Sequence, residues 1–196
     1  MSVPRGSVDC GPIAPTTQAC DGAFIWRDVG QPSRAVFLDR DGTLIVNYPY
    51  NGDERRVELI PGAATAVNAL RRAGYRLIVV TNQSGIARGV ISVADLERVH
   101  AQLSRRLWEH RAWIDAYYYC PHHTDGNVRS LALPCACRKP SPGMLMRAAA
   151  EWSIDLSRSW MIGDQPSDLE AGAACGCRVV GVGGPGDEAT RGAGVG

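Results

Sequence analysis

Residues 35–44 read AVFLDRDGTL: four apolar residues run straight into two aspartates two positions apart, and a glycine follows. A run this short, apolar throughout and closed by turn-forming residues, is predicted to be a strand buried on both faces. In an extended segment, residues i and i+2 project to the same side, so Asp39 and Asp41 can address one centre. One could attack there while the other shuttles a proton. Similar runs follow at Arg76 to Val80 (RLIVV), Asp115 to Tyr119 (DAYYY), Ser159 to Ile162 (SWMI) and Arg178 to Val182 (RVVGV). Between them lie helix-like segments: Gly62 to Ala73, Ser92 to His110, Pro142 to Trp152 and Ser167 to Cys175. Ser92 is an N-cap candidate and Gly74 a helix-ending glycine. The alternation predicts an α/β fold, a parallel sheet with helices on both faces. In such sheets ligands bind beyond the carboxyl ends of the strands.

The residues at those ends are chemically active ones. After the second strand comes TNQSGIARG, where Thr81 offers a hydroxyl and the turn through Asn82, Gln83 and Ser84 offers backbone N–H groups to an anion. After SWMI comes GDQPSD, with Asp164 at the strand end and Asp168 at a helix start. Alone, Asp164 reads more simply as a helix N-cap. Lys139 is the single lysine beside twenty arginines. An ammonium is compact where a guanidinium is wide and planar, although chance accounts for its position equally well when it is viewed by itself.

The 196 residues suffice for one domain with a full core and are too few for two comfortable ones. A mobile extension is expected over residues 1–32, with a short ordered piece around AFIWRDV (Ala23 to Val29), a folded domain over 33–184, and a Gly-rich tail over 185–196. A net charge of +1 gives no reason to expect nucleic acid or a membrane surface as partner. Arg71-Arg72 and Arg105-Arg106 are expected on solvated helix faces. No run resembles a signal-peptide core or a membrane span, so the expected setting is the cytoplasm and the expected state a monomer.

Seven cysteines is an odd count. Cys120, Cys135 and Cys137 cluster with His122 and His123, which in a reducing compartment favours metal over a disulfide framework; buried thiols or a fortuitous cluster are the alternatives. Three thiols and an imidazole suit a closed, structural Zn²⁺ site. His122 is the better fourth ligand, because Cys-x-His mirrors Cys-x-Cys. Cys10 and Cys20 fall in the extension, and Cys175 and Cys177 are expected to fill core space.

Taken in order, DxDGT after a strand, Thr-Asn after a strand, an isolated lysine before a helix, and GDxxxD after a strand resemble the four motifs of the haloacid dehalogenase superfamily of phosphotransferases. The resemblance covers Ala35 to about Val182. It implies a Rossmann-like core, with Asp39 as nucleophile forming an aspartyl-phosphate and Asp41 as general acid and base. Thr81 and Lys139 would bind the transferring phosphoryl group. Mg²⁺ would be held by Asp39, Asp164 and the Asp41 carbonyl. Asp168 would orient Lys139 or a metal-bound water.

The cysteine loop narrows the likeness to two related groups, the heptose 1,7-bisphosphate phosphatases and the histidinol-phosphate phosphatases. FLDRDGT, VVTNQSGIARG, YYCPHH and CRKPSPGM resemble the heptose group, as does the gap of twelve residues between His122 and Cys135. That likeness implies hydrolysis of the C7 phosphate of a heptose bisphosphate, a small-molecule substrate. Asn47, Tyr48, Pro49 and Tyr50 match positions touching the sugar phosphate, and Arg138 matches a substrate-recognition arginine. The alternative for NYPY is a proline turn with aromatic packing. Arg88 either approaches the uncleaved phosphate or faces solvent. Gln165 stands where the group often carries lysine. No insertion is long enough for a large cap domain, so an open site is expected.

Overall fold

Strand β1 (Ala35–Leu38) occupies the middle of a five-stranded sheet with every residue buried, as four consecutive apolar residues require when both faces are covered. Around it β2 (Arg76–Asn82), β3 (Ala116–Cys120), β4 (Trp160–Gly163) and β5 (Arg178–Gly181) run parallel in the order β3-β2-β1-β4-β5. The computed structural model describes residues 32–183. The extension expected over 1–32, apart from Pro32, its ordered piece at Ala23 to Val29, Cys10, Cys20 and the tail over 185–196 lie outside the described residues.

Alternate strand residues feed two cores. Val36, Leu38, Leu77, Val79 and Tyr117 pack against α1 (Ala63–Arg72) and α3 (Val93–Glu109) through Val67, Val99, Leu103 and Leu107. Ala35, Phe37, Ile78, Val80 and Tyr118 pack on the other side against α4 (Gly143–Trp152) and Ala171 of α5 (Pro166–Ala174). Helices therefore cover both faces, as the alternation of elements predicts. Leu38 is level with Val79 on one side and Ile162 on the other, so the ends of β1, β2 and β4 open onto one edge. The chain first winds out from β1 to β3 and then crosses back to β4. The crevice between β1 and β4 is the topological switch point at which such sheets bind ligands.

The helix boundaries follow their local chemistry. Ser92 and Asp95 form a reciprocal capping box at the start of α3, and Gly74 (φ 82°) turns the chain after α1. Two local expectations are revised. β2 continues to Asn82, because Thr81 and Asn82 pair with Tyr119 and Cys120 of β3, and the turn after it winds into a short helix, α2 (Ser84–Ala87). Arg71 is not on a solvated face: its guanidinium lies 3.8 Å above the Trp113 ring and pairs with Asp115 at 2.9 Å. Arg72, Arg105 and Arg106 are exposed as expected, and Cys177 and Cys175 pack at the edge of the second core.

Residues 39–62 hold a single 3-10 turn (Glu54–Arg56), and residues 121–142 hold no helix or strand, so the described residues build no cap domain. No helix among them is long and apolar enough to cross a membrane.

Ser159 ties the two halves of the sheet together. Its fully buried hydroxyl accepts from the Ala35 N–H at 2.9 Å and donates to the Asp155 carbonyl at 2.6 Å. Ser159→Ala leaves the Ala35 donor buried without a partner, and it should cost about 1–3 kcal/mol. Urea unfolding should show a lower midpoint with an unchanged slope.

Candidate active site

Lys139 sits at the centre of the strand-end crevice with 3 % of its surface exposed. Its Nζ donates to Asp39 Oδ1 at 2.6 Å and to the Val80 carbonyl at 2.7 Å, and pairs with Asp168 Oδ1 at 2.6 Å. Burial disfavours the ammonium, yet Asp39 and Asp168 overcome that and raise its pKa above the ordinary lysine value. Asp39 feels the converse pulls: burial raises its carboxyl pKa and Lys139 draws it down, burial prevailing to leave it at about 6. Asp168 spends its other oxygen on the Gln165 N–H at 3.0 Å, capping α5. Both of its oxygens are thus engaged, and the Lys139 contact matches the first of the two roles considered for it. Asn82 clasps the backbone of Lys139 from both sides, donating to its carbonyl at 3.0 Å and accepting from its N–H at 3.1 Å. This places Asn82 as a support for Lys139 as well as a wall residue.

Asp39 and Asp41 both line the crevice, although β1 ends at Leu38 and the chain bends at Arg40, so the strand period expected to align them does not extend this far; the Asp41 carboxylate is held by different groups. Arg40 grips it through Nε to Oδ2 and Nη2 to Oδ1, both at 3.0 Å, with Nη2 also 2.8 Å from Oδ2. Gln83 Nε2 donates to Asp41 Oδ2 at 3.0 Å and to Thr81 Oγ1 at 2.9 Å. Thr81, already accepting, has its own O–H left to donate. Arg40 is 1 % exposed, and its Nη1 lies 3.2 Å from Nε2 of the buried His100, which stacks on Tyr117 at 4.7 Å. Sequence reasoning missed Arg40 and His100. A residue between two acids and a lone histidine on a helix carry no local signal.

Asp164 ends β4 against Gly42 (φ 83°), where a Cβ would overlap its carboxylate, so this glycine is needed for conformation and for space. Gln165 Nε2 donates to Asp164 Oδ2 at 2.8 Å, while the buried Oδ1 has no hydrogen-bond partner. Oxygens of Asp39, Asp164 and Asp168 lie within 4.8 Å of one another. Four carboxylates (Asp39, Asp41, Asp164, Asp168) face two cations (Arg40, Lys139), leaving two negative charges in excess. That surplus and the orphaned oxygen fit a divalent, oxygen-seeking cation.

The crevice opens into a pocket of about 210 Å³. Asn47, Tyr48, Tyr50, Asn82, Gln83, Ser84 and Gln165 line it as expected, joined by Asn51 and Ser167, which the sequence did not single out. Pro49, Arg88 and Arg138 do not. Pro49 is exposed in the flap turn, Arg88 packs on the cysteine loop with Nη2 3.4 Å from the His123 ring, and Arg138 Nη1 donates to the His122 carbonyl at 3.4 Å. Arg88 therefore stays off the pocket wall and is only partly exposed, at 30 % of its side chain, because the loop after β3 packs against it.

That loop brings Cys120, His122, Cys135 and Cys137 together. Their sulfurs are 3.3–3.5 Å apart, and His122 Nδ1 is 3.4 Å from Cys137 Sγ and 3.7 Å from Cys120 Sγ. Zn–S bonds of about 2.3 Å place tetrahedral sulfurs about 3.8 Å apart, close to these separations. No disulfide forms among them. His123 turns away, its Nδ1 accepting from the Asp125 N–H at 3.1 Å.

Two family models match the chain, haloacid dehalogenase-like hydrolase over residues 36–103 and HAD-hydrolase-like over residues 136–191. The D-glycero-β-D-manno-heptose-1,7-bisphosphate 7-phosphatase of Rhodopseudomonas palustris is 42 % identical over 72 % of this chain and 79 % of its own length. That of Escherichia coli K12 is 42 % identical over 71 % and 73 %. The crystal structure of the D,D-heptose 1,7-bisphosphate phosphatase of B. bronchiseptica, complexed with magnesium and phosphate, superposes with a TM-score of 0.66. It is 33 % identical and covers 74 % of this chain and 78 % of that one.

His100 makes the fold sensitive to acid. Burial, and after it the Arg40 charge, hold its pKa well below 6.5, so the native state refuses a proton that the unfolded chain accepts below about that pH. With Arg40 and Tyr117 as its neighbours, His100 should take stability away as pH falls from about 6.5, by up to about 1.4 kcal/mol per unit. In urea titrations at pH 7, 6 and 5, His100→Gln should lose less stability towards acid than the native protein does.

Proposed function

The chain belongs to the family of D-glycero-β-D-manno-heptose-1,7-bisphosphate 7-phosphatases within the haloacid dehalogenase-like hydrolases, and on that premise we propose that it removes the C7 phosphate of this sugar bisphosphate to leave heptose 1-phosphate. The observation that carries the proposal is the buried Lys139 ammonium bridging Asp39 and Asp168 at the β1/β4 crevice, beside an Asp164 oxygen with no partner. The curated relatives are named for the β anomer, which is therefore the first substrate to test.

In this reading an oxygen of Asp39 bonds to phosphorus as the bond from phosphorus to the C7 oxygen breaks. The electron pair leaves on that oxygen, which takes a proton from Asp41. Asp41 then accepts a proton from the water that attacks phosphorus, and the electrons of the aspartyl-phosphate bond return to Asp39. Lys139, the Thr81 hydroxyl and the N–H groups of Asn82 and Ser84 hydrogen-bond the transferring oxygens, where charge builds up; the Gln83 N–H, expected to join them, instead donates to the Cys120 carbonyl at 2.8 Å. Mg²⁺ would be held by Asp39, Asp164 and the Asp41 carbonyl, and it supplies charge neutralisation for the phosphoryl oxygens. Asn47, Tyr48, Pro49, Tyr50, Gln165, Arg88 and Arg138 are retained as candidate sugar-phosphate contacts. The pocket wall supports Asn47, Tyr48, Tyr50 and Gln165, whereas either arginine would have to leave its present partner to take part.

We take Cys120, His122, Cys135 and Cys137 as a structural Zn²⁺ site that folds the loop bearing Arg138 and Lys139. That the five cysteines among the described residues form no disulfide suits a reducing, cytoplasmic setting. The domain is taken as 33–184, acting as a monomer.

Kinetics on both heptose anomers beside histidinol phosphate test the substrate, with kcat/KM expected to be highest on the β anomer. Efficient hydrolysis of histidinol phosphate with no release from either anomer would overturn the proposal. Asp39→Asn should lower turnover at least about 10³-fold, and unchanged release would remove the covalent route. Lys139→Arg keeps the charge but brings a wide fork into a filled site, so kcat should fall about 10²-fold. Metal analysis should find one zinc per chain, and Cys135→Ser should lose both the zinc and most of the activity.

A further inference from the structure

We propose that Arg40 is a positioning residue for the proton transfers at Asp41, and that Asp41 Oδ1 is the oxygen that carries the proton. This inference rests on the role given to Asp41 above. A guanidinium that is 1 % exposed is costly to bury unless each face finds a partner, and the partners chosen here are informative. Nε and Nη2 fix both oxygens of Asp41, and Nη1 meets His100 Nε2. To accept there, His100 must be neutral with its proton on Nδ1, and burial keeps it neutral. His100 is itself seated on the Tyr117 ring, whose hydroxyl lies 2.9 Å from Ser104 Oγ of α3. The Arg40 carbonyl accepts from the N–H groups of Leu44 and Ile45, which fixes the backbone of the same residue. The result is a rigid chain from α3 and β3 through His100 and Arg40 to the Asp41 carboxylate.

The two oxygens of Asp41 are treated unequally. Oδ2 takes two donors, Arg40 Nε and Gln83 Nε2, while Oδ1 takes only Arg40 Nη2. A carboxylate oxygen has two acceptor positions, so Oδ1 keeps one open. From that atom the proton passes to the C7 oxygen as the bond to phosphorus breaks, and to it the attacking water later gives a proton. A lysine in place of Arg40 could not hold both oxygens and reach His100 at once.

The test separates acid assistance from general damage by changing the leaving group. A sugar alkoxide needs a proton to depart; the phenolate of 4-nitrophenyl phosphate does not. Arg40→Met and Arg40→Lys should lower kcat on the heptose bisphosphate about 10²-fold with KM within about threefold. With 4-nitrophenyl phosphate the same variants should release the first equivalent of phenolate at the native rate and then turn over slowly, because the second step still needs Asp41. Equal losses in the first turnover of both substrates, or no loss, would overturn the inference.

Asp41→Asn is the reference. If it leaves sugar phosphate turnover intact, the role of Asp41 fails and Arg40 falls with it. If it shows the leaving-group split but the Arg40 variants do not, only the inference on Arg40 fails. Adding Arg40→Met to Asp41→Asn should cost less than about threefold more, since the two act as one unit. Should the Arg40 variants not fold, His100 decides. His100→Gln keeps an acceptor for Nη1 and should stay within about fivefold of native, whereas His100→Leu should show the split; identical behaviour of the two would overturn the proposal.

Discussion

One buried ammonium organises the molecule's working edge. Without Lys139, Asp39 just after β1 and Asp168 at the start of α5 would be two buried carboxylates facing each other, and each would disfavour the ionised form of the other. With it, the end of β1, strand β2 through the Val80 carbonyl, and the first turn of α5 are drawn to a single atom. The same contacts that assemble the crevice keep Asp39 largely ionised near neutrality despite its burial. Structure and reactivity are therefore set by one interaction.

That ammonium arrives from an unlikely direction. It is carried by a polar loop of some twenty residues that leaves β3, on the outer side of the sheet, and returns without helix or strand of its own. Two devices compensate for the loop's lack of a core. The thiol and imidazole cluster closes it just before Lys139, and the Asn82 amide seizes the Lys139 backbone on arrival. Neither device touches the pocket's far wall, yet both determine whether a charge is present there.

Much of this was legible in the sequence because the signals are local. Apolar runs of four or five residues mark strands buried on both faces, and the polar residues that follow each run are necessarily at the ligand-binding edge. Asp39, Thr81 and Asp164 were found that way, Lys139 stood out as the single lysine of the chain, and His122 was chosen over His123 from spacing alone. What could not be read is whatever depends on a partner distant in the chain. Arg40 looks like a filler between two aspartates until His100, sixty positions later, is brought beside it by α3. Arg71 looks solvent-facing until β3 sets Asp115 and Trp113 against it. Arg88, expected near a phosphate or in solvent, and Arg138, matched to a substrate-recognition arginine, both contact the loop after β3, whose path no periodicity encodes.

The absence of a cap among the described residues has a consequence for how the chemistry is kept dry. Enzymes that close a lid strip water from the reacting centre with their own surface. Here the wall beyond the strand ends is a flap with a single 3-10 turn, and the pocket mouth stays wide. Among the described residues no element closes over the mouth, so the parts of a bound molecule that never react would help to shield the part that does. Such a site selects by bulk as much as by contact: a small phosphate ester can enter freely but leaves the door open behind it.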